Sequence, residues 1–246
     1  MPYTLFISDL HLEETRPEHL AALEALLAKH AAQGCEALYV LGDLFESWIG
    51  DDDDTPFHQA AIAAFKQFSS GGNALYFMHG NRDFLLGNAF AEACGGKMLA
   101  EGTVVNLYGT PALLMHGDSL CTQDEKYMQF RAMVRKPSWQ AEMLAKPLAE
   151  RRMIAQMMRM QSQQSNSNKA ENIMDVTPEE VVREMEQHHV LHLIHGHTHR
   201  PNVHDVPLAQ GSGKRWVLGD WGDYGWYLMA KPGEPFALER FAIGNP

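Results

Sequence analysis

The amino-acid sequence predicts an α/β fold built on a mostly parallel sheet covered by helices. Three observations lead there. Short apolar, β-rich runs alternate with helical periodicities along the first eighty residues, the helical stretches open at proline and close at glycine, and each apolar run stops at a cluster of polar residues.

The first apolar run covers residues 3–7 and the second 37–41, and the segment between them reads as a helix. Pro17 opens it, Leu20, Leu23, Leu26 and Leu27 line one side, and Gly34 stops it. A second helix is expected over 55–68, closed by Gly71 and Gly72, and a third run at 74–78 completes a β-α-β-α-β order. Further buried strands are expected at 112–115 and 191–194. From 125 to about 160 the pattern turns helical, with seven of the fourteen methionines, Phe130 and Trp139 interleaved with lysine and arginine. Pro137 and Pro147 divide that stretch. The polar tract 161–169 reads as a loop, and Thr177, Pro178 and Glu180 as a capping box opening another helix. Residues 215–241 alternate aromatic and aliphatic side chains between glycine and proline, which predicts more strands, antiparallel ones among them. No internal repeat is visible.

A length of 246 residues suits one domain, 1–246, with a helical insertion near 125–170 acting as a cap or lid. Hydrophobic residues at 45% and charged residues at 21% exclude a disordered or fibrous chain. The net charge of −11 excludes a general nucleic-acid binder, which needs clustered cations to displace counterions. The charge is unevenly spread: between Lys126 and Lys169 nine lysines and arginines face only Glu142 and Glu150, a local +7 that leaves −18 for the remainder. Cys35, Cys94 and Cys121 are odd in number and widely spaced, as expected of a reducing, cytoplasmic setting. Residues 1–12 lack the features of a signal peptide, and no stretch has the roughly 18 to 20 apolar residues of a membrane span, so membrane contact is expected to be peripheral.

Five polar motifs follow the apolar runs: Asp9-Leu10-His11, Gly42-Asp43, Gly80-Asn81-Arg82-Asp83, His116-Gly117-Asp118, and His195-Gly196-His197-Thr198-His199. The carboxyl ends of parallel strands face one crevice, so residues distant in sequence converge there. Asp9 and His11, two apart, would share a side if their strand continued, and so would His197 and His199. Carboxylate, amide oxygen and imidazole together suit manganese, iron or zinc better than calcium. Asp9, His11, Asp43, Asn81, His116, His197 and His199 exceed the needs of one ion, and two divalent ions sharing Asp43 are expected.

The order Asp-x-His, Gly-Asp, Gly-Asn, His and Gly-His-x-His is identified as that of the calcineurin-like metallophosphoesterases, and its blocks span residues 9–199. The resemblance implies a four-layer αββα sandwich. It also implies one metal on Asp9, His11, Asp43 and His199 and the other on Asp43, Asn81, His116 and His197. Where many members carry histidine after Gly-Asn, this chain has Arg82. A guanidinium does not shuttle protons near neutral pH, but its planar fork binds phosphate oxygens and stabilises charge in the transition state.

That arginine, together with LGDLFESWIGDDD at 41–53, HGDSLCT at 116–122, IMDV at 173–176 and LIHGHTHRP at 193–201, resembles the UDP-diacylglucosamine hydrolases. The resemblance implies two manganese ions and attack by an activated water on the α-phosphorus of UDP-2,3-diacylglucosamine, yielding UMP and diacylglucosamine 1-phosphate in lipid A synthesis. It implies Asn81, Arg82 and His197 at the pyrophosphate, with Asp124, Ser162, Asn166 and Lys169 on the glucosamine and phosphate groups. The cationic, methionine-rich stretch is expected to face acyl chains and the anionic cytoplasmic surface of the inner membrane. A phosphoesterase for nucleotides or phosphoproteins and a non-catalytic scaffold are the alternatives.

Other conspicuous residues are expected to lie outside the metal-binding set. His79, His188, His189, His192, His195 and His204 flank the motifs without completing them. His19, His30 and His58 are expected at helix surfaces, and residues 51–54 as a solvated acidic loop capping the following helix. Asp83 and Asp118 are expected to orient neighbours rather than bind metal.

Overall fold

In the inner strands of the protein, apolar side chains point to both faces, because each of its two sheets is covered on both sides. The computed structural model describes residues 1–166 and 175–244, apart from the side chains of Gln163, Ser165 and Asn166. The first sheet has the order β11-β10-β1-β2-β3-β4, from β1 (Tyr3–Ile7), β2 (Cys35–Leu41), β3 (Ala74–Met78), β4 (Lys97–Leu99), β10 (Tyr224–Ala230) and β11 (Ala237–Ala242). Strands β1 to β4 are parallel, while β10 and β11 join antiparallel. The second sheet has the order β5-β6-β7-β9-β8, from β5 (Thr103–Leu107), β6 (Thr110–Leu114), β7 (His192–His195), β8 (Asn202–Leu208) and β9 (Gly211–Val217). Here β6, β7 and β9 are parallel, and β5 and β8 are antiparallel edges.

Period-two alternation sorts side chains between layers. Leu5 and Ile7 of β1 and Leu38 and Val40 of β2 pack toward α1 (Pro17–Ala32) and α2 (Pro56–Ser70). Phe6 and Leu41 point the other way and meet Leu114 and Ile194 between the sheets. On the far face Leu113 and Leu193 pack against Val181 and Met185 of α7 (Pro178–Gln187). The result is the expected αββα sandwich. Fully buried side chains such as Phe6 and Phe77 each contribute roughly 1.5–3 kcal/mol of transfer free energy.

The methionine-rich stretch forms α4 (Glu125–Val134), α5 (Pro137–Leu144) and α6 (Leu148–Asn166), with breaks where Pro137 and Pro147 predict them. Helix α6 carries through the polar tract as far as Asn166, which corrects the expected loop for residues 161–166; residues 167–169 of that tract lie outside the described residues. A short α3 (Asn88–Ala93) and strands β4, β5 and β8 were not anticipated.

Four local expectations need revision. His19 and His30 are buried, because 19, 23, 26 and 30 fall on one helical face with the leucines of α1. His19 Nδ1 lies 3.3 Å from the Leu10 carbonyl, and the Tyr3 hydroxyl pairs with His30 Nδ1 at 2.7 Å. The acidic run 51–54 is not simply a solvated cap, since α2 is capped by Thr55. Asp51 instead accepts from Trp48 Nε1 and from the Gly87 and Phe90 amides at the start of α3, while Asp52 and Asp53 pair with Arg151 and Arg152 of α6. Thr177 does not cap α7 with its side chain, because its hydroxyl is engaged at 2.7 Å with that of Thr122.

Candidate metal centre and active site

All five motifs lie just past the carboxyl ends of parallel strands, and backbone hydrogen bonds stitch them together. The Asp9 amide donates to the Gly42 carbonyl and the His11 amide to that of Asp43, both at 3.0 Å. The Gly196 amide donates to the His116 carbonyl at 2.9 Å, joining the second sheet's motifs, and the His197 amide reaches the Asp9 carboxylate at 2.9 Å across the sheets. Two motif glycines are required by these approaches. A Cβ on Gly80 would fall 2.1 Å from Asp43 Oδ1, and one on Gly196 would fall 2.1 Å from Asp9 Oδ2.

Strand alternation does not bring Asp9 to His11 or His197 to His199, because both strands have ended. Asp9, His11, Asp43, His197 and His199 all adopt left-handed backbone conformations with φ between 48° and 67°. Among the described non-glycine residues only Tyr108 and His189 share that region. Each such residue costs on the order of 1–3 kcal/mol, which persists only where surrounding contacts over-determine it. Concentrating that cost on five candidate ligands marks the loops as shaped for the site.

The side chains present nitrogen and oxygen lone pairs to one another. His116 Nδ1 sits 2.8 Å from the Leu41 carbonyl, an acceptor only, so Nδ1 carries the proton and a neutral ring turns its Nε2 lone pair inward. That Nε2 lies 2.9 Å from Asn81 Oδ1, which also lies 2.8 Å from His197 Nδ1. On the other side His11 Nε2 and His199 Nε2 face each other at 3.2 Å, with His199 Nε2 3.4 Å from Asp9 Oδ1. Asp9 Oδ1 is buried without an aligned hydrogen bond. Asp43 divides its oxygens, Oδ2 standing 3.9 Å from His11 Nε2 and Oδ1 3.7 Å from His116 Nε2. Such opposed lone pairs need a proton or a cation between them. The donor set fits borderline divalent metals, and ligand atoms of Asp9, His11 and His199, and of Asp9, Asp43 and His116, gather within 4.8 Å.

The electrostatics agree. Burial alone would raise the Asp9 carboxyl, but the adjacent His199 ring and the charges of His116 and His11 hold it well below the usual carboxylate range. Burial, with the charges of Asp83 and Asp9, pushes the Asp43 carboxyl up against the opposing pull of His116 and His11. His116 is pushed up to about 9, because Asp43, Asp9 and Asp118 outweigh the burial that would lower it. Burial and the neighbouring charge of His116 bring His197 down to about 4. A proton on His116 is thus the local substitute for positive charge.

Comparison with known proteins agrees with this geometry. The sequence pattern described as calcineurin-like phosphoesterase matches residues 3–201. A UDP-2,3-diacylglucosamine hydrolase from Cellvibrio japonicus is 55% identical over 92% of this chain and 94% of its own. One from Marinobacter nauticus is 51% identical over 98% and 99%. The chain belongs to the calcineurin-like phosphoesterases, in the branch of the UDP-2,3-diacylglucosamine hydrolases. It is therefore a metal-dependent hydrolase. A crystal structure of a dimetal phosphatase from Danio rerio shares the fold, with a TM-score of 0.51 over 98% of this chain and 96% of that one at 11% identity.

Around the phosphoesterase's candidate ligands, buried acids hold the loops. Asp83 accepts from the amides of Gly80 at 2.7 Å, Leu44 at 2.8 Å and Asp43 at 3.3 Å. Asp118 accepts from Tyr127 and, at 2.9 Å, from Arg131 Nε, and the Tyr127 ring stacks on His197 with centroids 6.1 Å apart. Arg135 donates to the Gly80 carbonyl at 3.0 Å. Tyr127, Arg131, Arg135 and Glu46 were missed in the sequence, where none stands beside a motif histidine or in a spacing that points to one. Arg82 donates its amide to Asp43 Oδ1 at 2.8 Å, and its buried Nε has no aligned partner. Asp124 caps α4 by accepting from the Tyr127 amide, and Ser162 lies half-buried on α6. Asn166 ends that helix, and Lys169 lies outside the described residues. His79 Nε2 meets the Leu86 carbonyl at 2.6 Å. His195 is buried and held down to about 3 by burial and Arg215.

Proposed function

We propose that the protein hydrolyses the pyrophosphate bond of UDP-2,3-diacylglucosamine, releasing UMP and 2,3-diacylglucosamine 1-phosphate for lipid A synthesis. The observation that carries this reading is the identity to UDP-2,3-diacylglucosamine hydrolases along 92–98% of the chain, the helical stretch 125–166 included. Two divalent ions, manganese in this proposal, would be held by Asp9, His11, Asp43 and His199 and by Asp43, Asn81, His116 and His197. When bound, such ions acidify water from 15.7 toward about 7 and neutralise phosphate charge.

The chain's own groups supply the rest. Water attacks the α-phosphorus while the Arg82 fork, the His197 ring and the Asn81 amide hold phosphoryl oxygens and stabilise the charge that develops there. The departing 1-phosphate is already a stable anion, so the arginine at this position costs little by being unable to donate a proton. Asp124, Ser162, Asn166 and Lys169 are assigned to the glucosamine and its phosphate.

Attachment is proposed to be peripheral, on the cytoplasmic face of the inner membrane. No described helix is long and apolar enough to cross a membrane. Met153, Met157 and Met160 stand exposed on α6 at 56–59%. The positive charge of this segment is largely answered within the protein, Arg131 by Glu101 and Asp118, Arg151 by Asp52, Arg152 by Asp53 and Arg159 by Glu46. Lipid contact therefore rests on the methionines more than on charge. The test is incubation of purified protein with Mn2+ and the UDP-glycolipid, followed by chromatography for UMP. A metal-loaded preparation that releases no UMP would overturn the proposal.

A further inference from the structure

We infer that Glu46 is a positioning residue for His11 and that Arg159 of α6, by sharing the same carboxylate, couples the seating of that helix to the metal centre. The inference rests on the proposed role of His11 as a metal ligand.

The two oxygens of Glu46 serve different partners. Oε2 lies 2.9 Å from His11 Nδ1, off the line of an ideal hydrogen bond, and no other described group bonds that buried nitrogen. Oε1 abuts the Arg159 guanidinium, charge against charge, outside the geometry of a hydrogen bond. The side chains of Glu46 and His11 are only 11% and 10% exposed, so the contact is screened from water. A carboxylate facing Nδ1 keeps the proton there and leaves the Nε2 lone pair for a metal, which is how outer groups commonly set a ligating imidazole.

The backbone places Glu46 for this task. Leu12 donates to the Leu44 carbonyl at 2.9 Å, Glu46 donates to that of Leu12 at 3.1 Å, and Leu12 bridges Phe45. Residues 9–12 and 42–46 thus run as one strip, which sets the height of Glu46 beside His11. Helix α6 lies along the continuation of that strip. Arg151 is buried and donates to the Ile49 carbonyl at 2.7 Å and to Asp52, and Arg152 pairs with Asp53. Arg159 is the third arginine of this seam. It differs from the other two because its partner also touches a candidate ligand, so tilting of α6 would move the Glu46 carboxylate and with it the His11 ring. Coupling of this kind is reciprocal.

Mn2+ binding to the full-length protein, followed by calorimetry, tests the inference. Glu46→Ala should weaken affinity by about 10- to 100-fold. Glu46→Gln, which keeps an oxygen acceptor, should lose less. Arg159→Met should weaken Mn2+ binding in the parent and do nothing further in the Glu46→Ala background, since coupled residues are non-additive. Hydrogen exchange of residues 148–164 should slow on adding Mn2+ to the parent and not to Glu46→Ala. Unchanged Mn2+ affinity in both Glu46 variants, or additive losses in the double variant, would overturn the inference alone. A parent protein that takes up no Mn2+ would end the metal reading and this inference together. Metal-free variants that unfold at the parent's temperature while losing affinity would support positioning over a merely structural pair.

Discussion

Asp43 Oδ1 lies 3.7 Å from His116 Nε2 with both side chains buried, too far apart for either to satisfy the other by a hydrogen bond. That spacing suits two groups with a cation between them, in keeping with the proposed role of both as metal ligands. Asp43→Asn should therefore abolish metal uptake and lower turnover by roughly three orders of magnitude or more, the scale of lost electrostatic stabilisation at a transition state. Because burial, Asp83 and Asp9 all disfavour its charge, the metal-free variant should unfold in chelator no earlier than the parent. Metal analysis with thermal unfolding checks both halves. Full metal content in the variant would refute the assignment.

Arg82→Ala should leave metal content intact and slow turnover by roughly 10²- to 10³-fold. Arg82→Lys should recover only part of the loss, because an ammonium lacks the planar fork. Steady-state kinetics beside metal analysis separates the two effects. A lysine variant as fast as the parent would show that charge alone is needed.

Replacing Met153, Met157 and Met160 together by glutamine should spare hydrolysis of a simple chromogenic phosphodiester and impair the diacylated substrate by roughly tenfold or more. Exposed methionines contribute little to the core, so the melting temperature should hold. Vesicle co-sedimentation should fall in parallel. Equal effects on both substrates would assign the stripe to packing.

His30 makes stability depend on pH. In the folded protein burial and then Lys29 bring its ring down to about 4, while an unfolded histidine titrates near 6.5. Its contribution is therefore whole above about pH 6.5 and shrinks as pH falls toward 4, because the unfolded chain takes up the proton first. His30→Gln should cost about 1 kcal/mol at pH 7 through the altered bond to Tyr3, and should flatten the loss of stability between pH 6.5 and 4. Denaturant titrations at pH 7 and pH 5 supply the comparison. Identical pH slopes in parent and variant would remove His30 from the acid response.

The parallel core strands were legible because short continuous apolar runs and flanking glycine and proline are local signals: the runs at 3–7 and 74–78 match β1 and β3 residue for residue. The edges β4, β5 and β8 were not, since a half-exposed edge strand has no continuous apolar run. His30 could have been read as buried from its spacing to Leu23, Leu26 and Leu27, but a titratable residue on a helix biases the reading toward solvent. No local pattern tells that Asp52 and Asp53 receive arginines a hundred residues away, because an acidic run reads the same in water and in an ion pair.

By itself the sequence determined the chemistry available to this protein. Carboxylate, amide and imidazole groups at the ends of apolar runs, in the order of a phosphoesterase, are properties of residue type and local period. Tertiary structure alone decided how those groups face one another. It holds five candidate ligands in left-handed backbone conformations, places the proton of His116 through the Leu41 carbonyl, and puts Glu46 between His11 and Arg159. These arrangements depend on contacts between segments far apart in the chain, whose geometry is set by packing of the whole fold and leaves no trace in nearest-neighbour spacing.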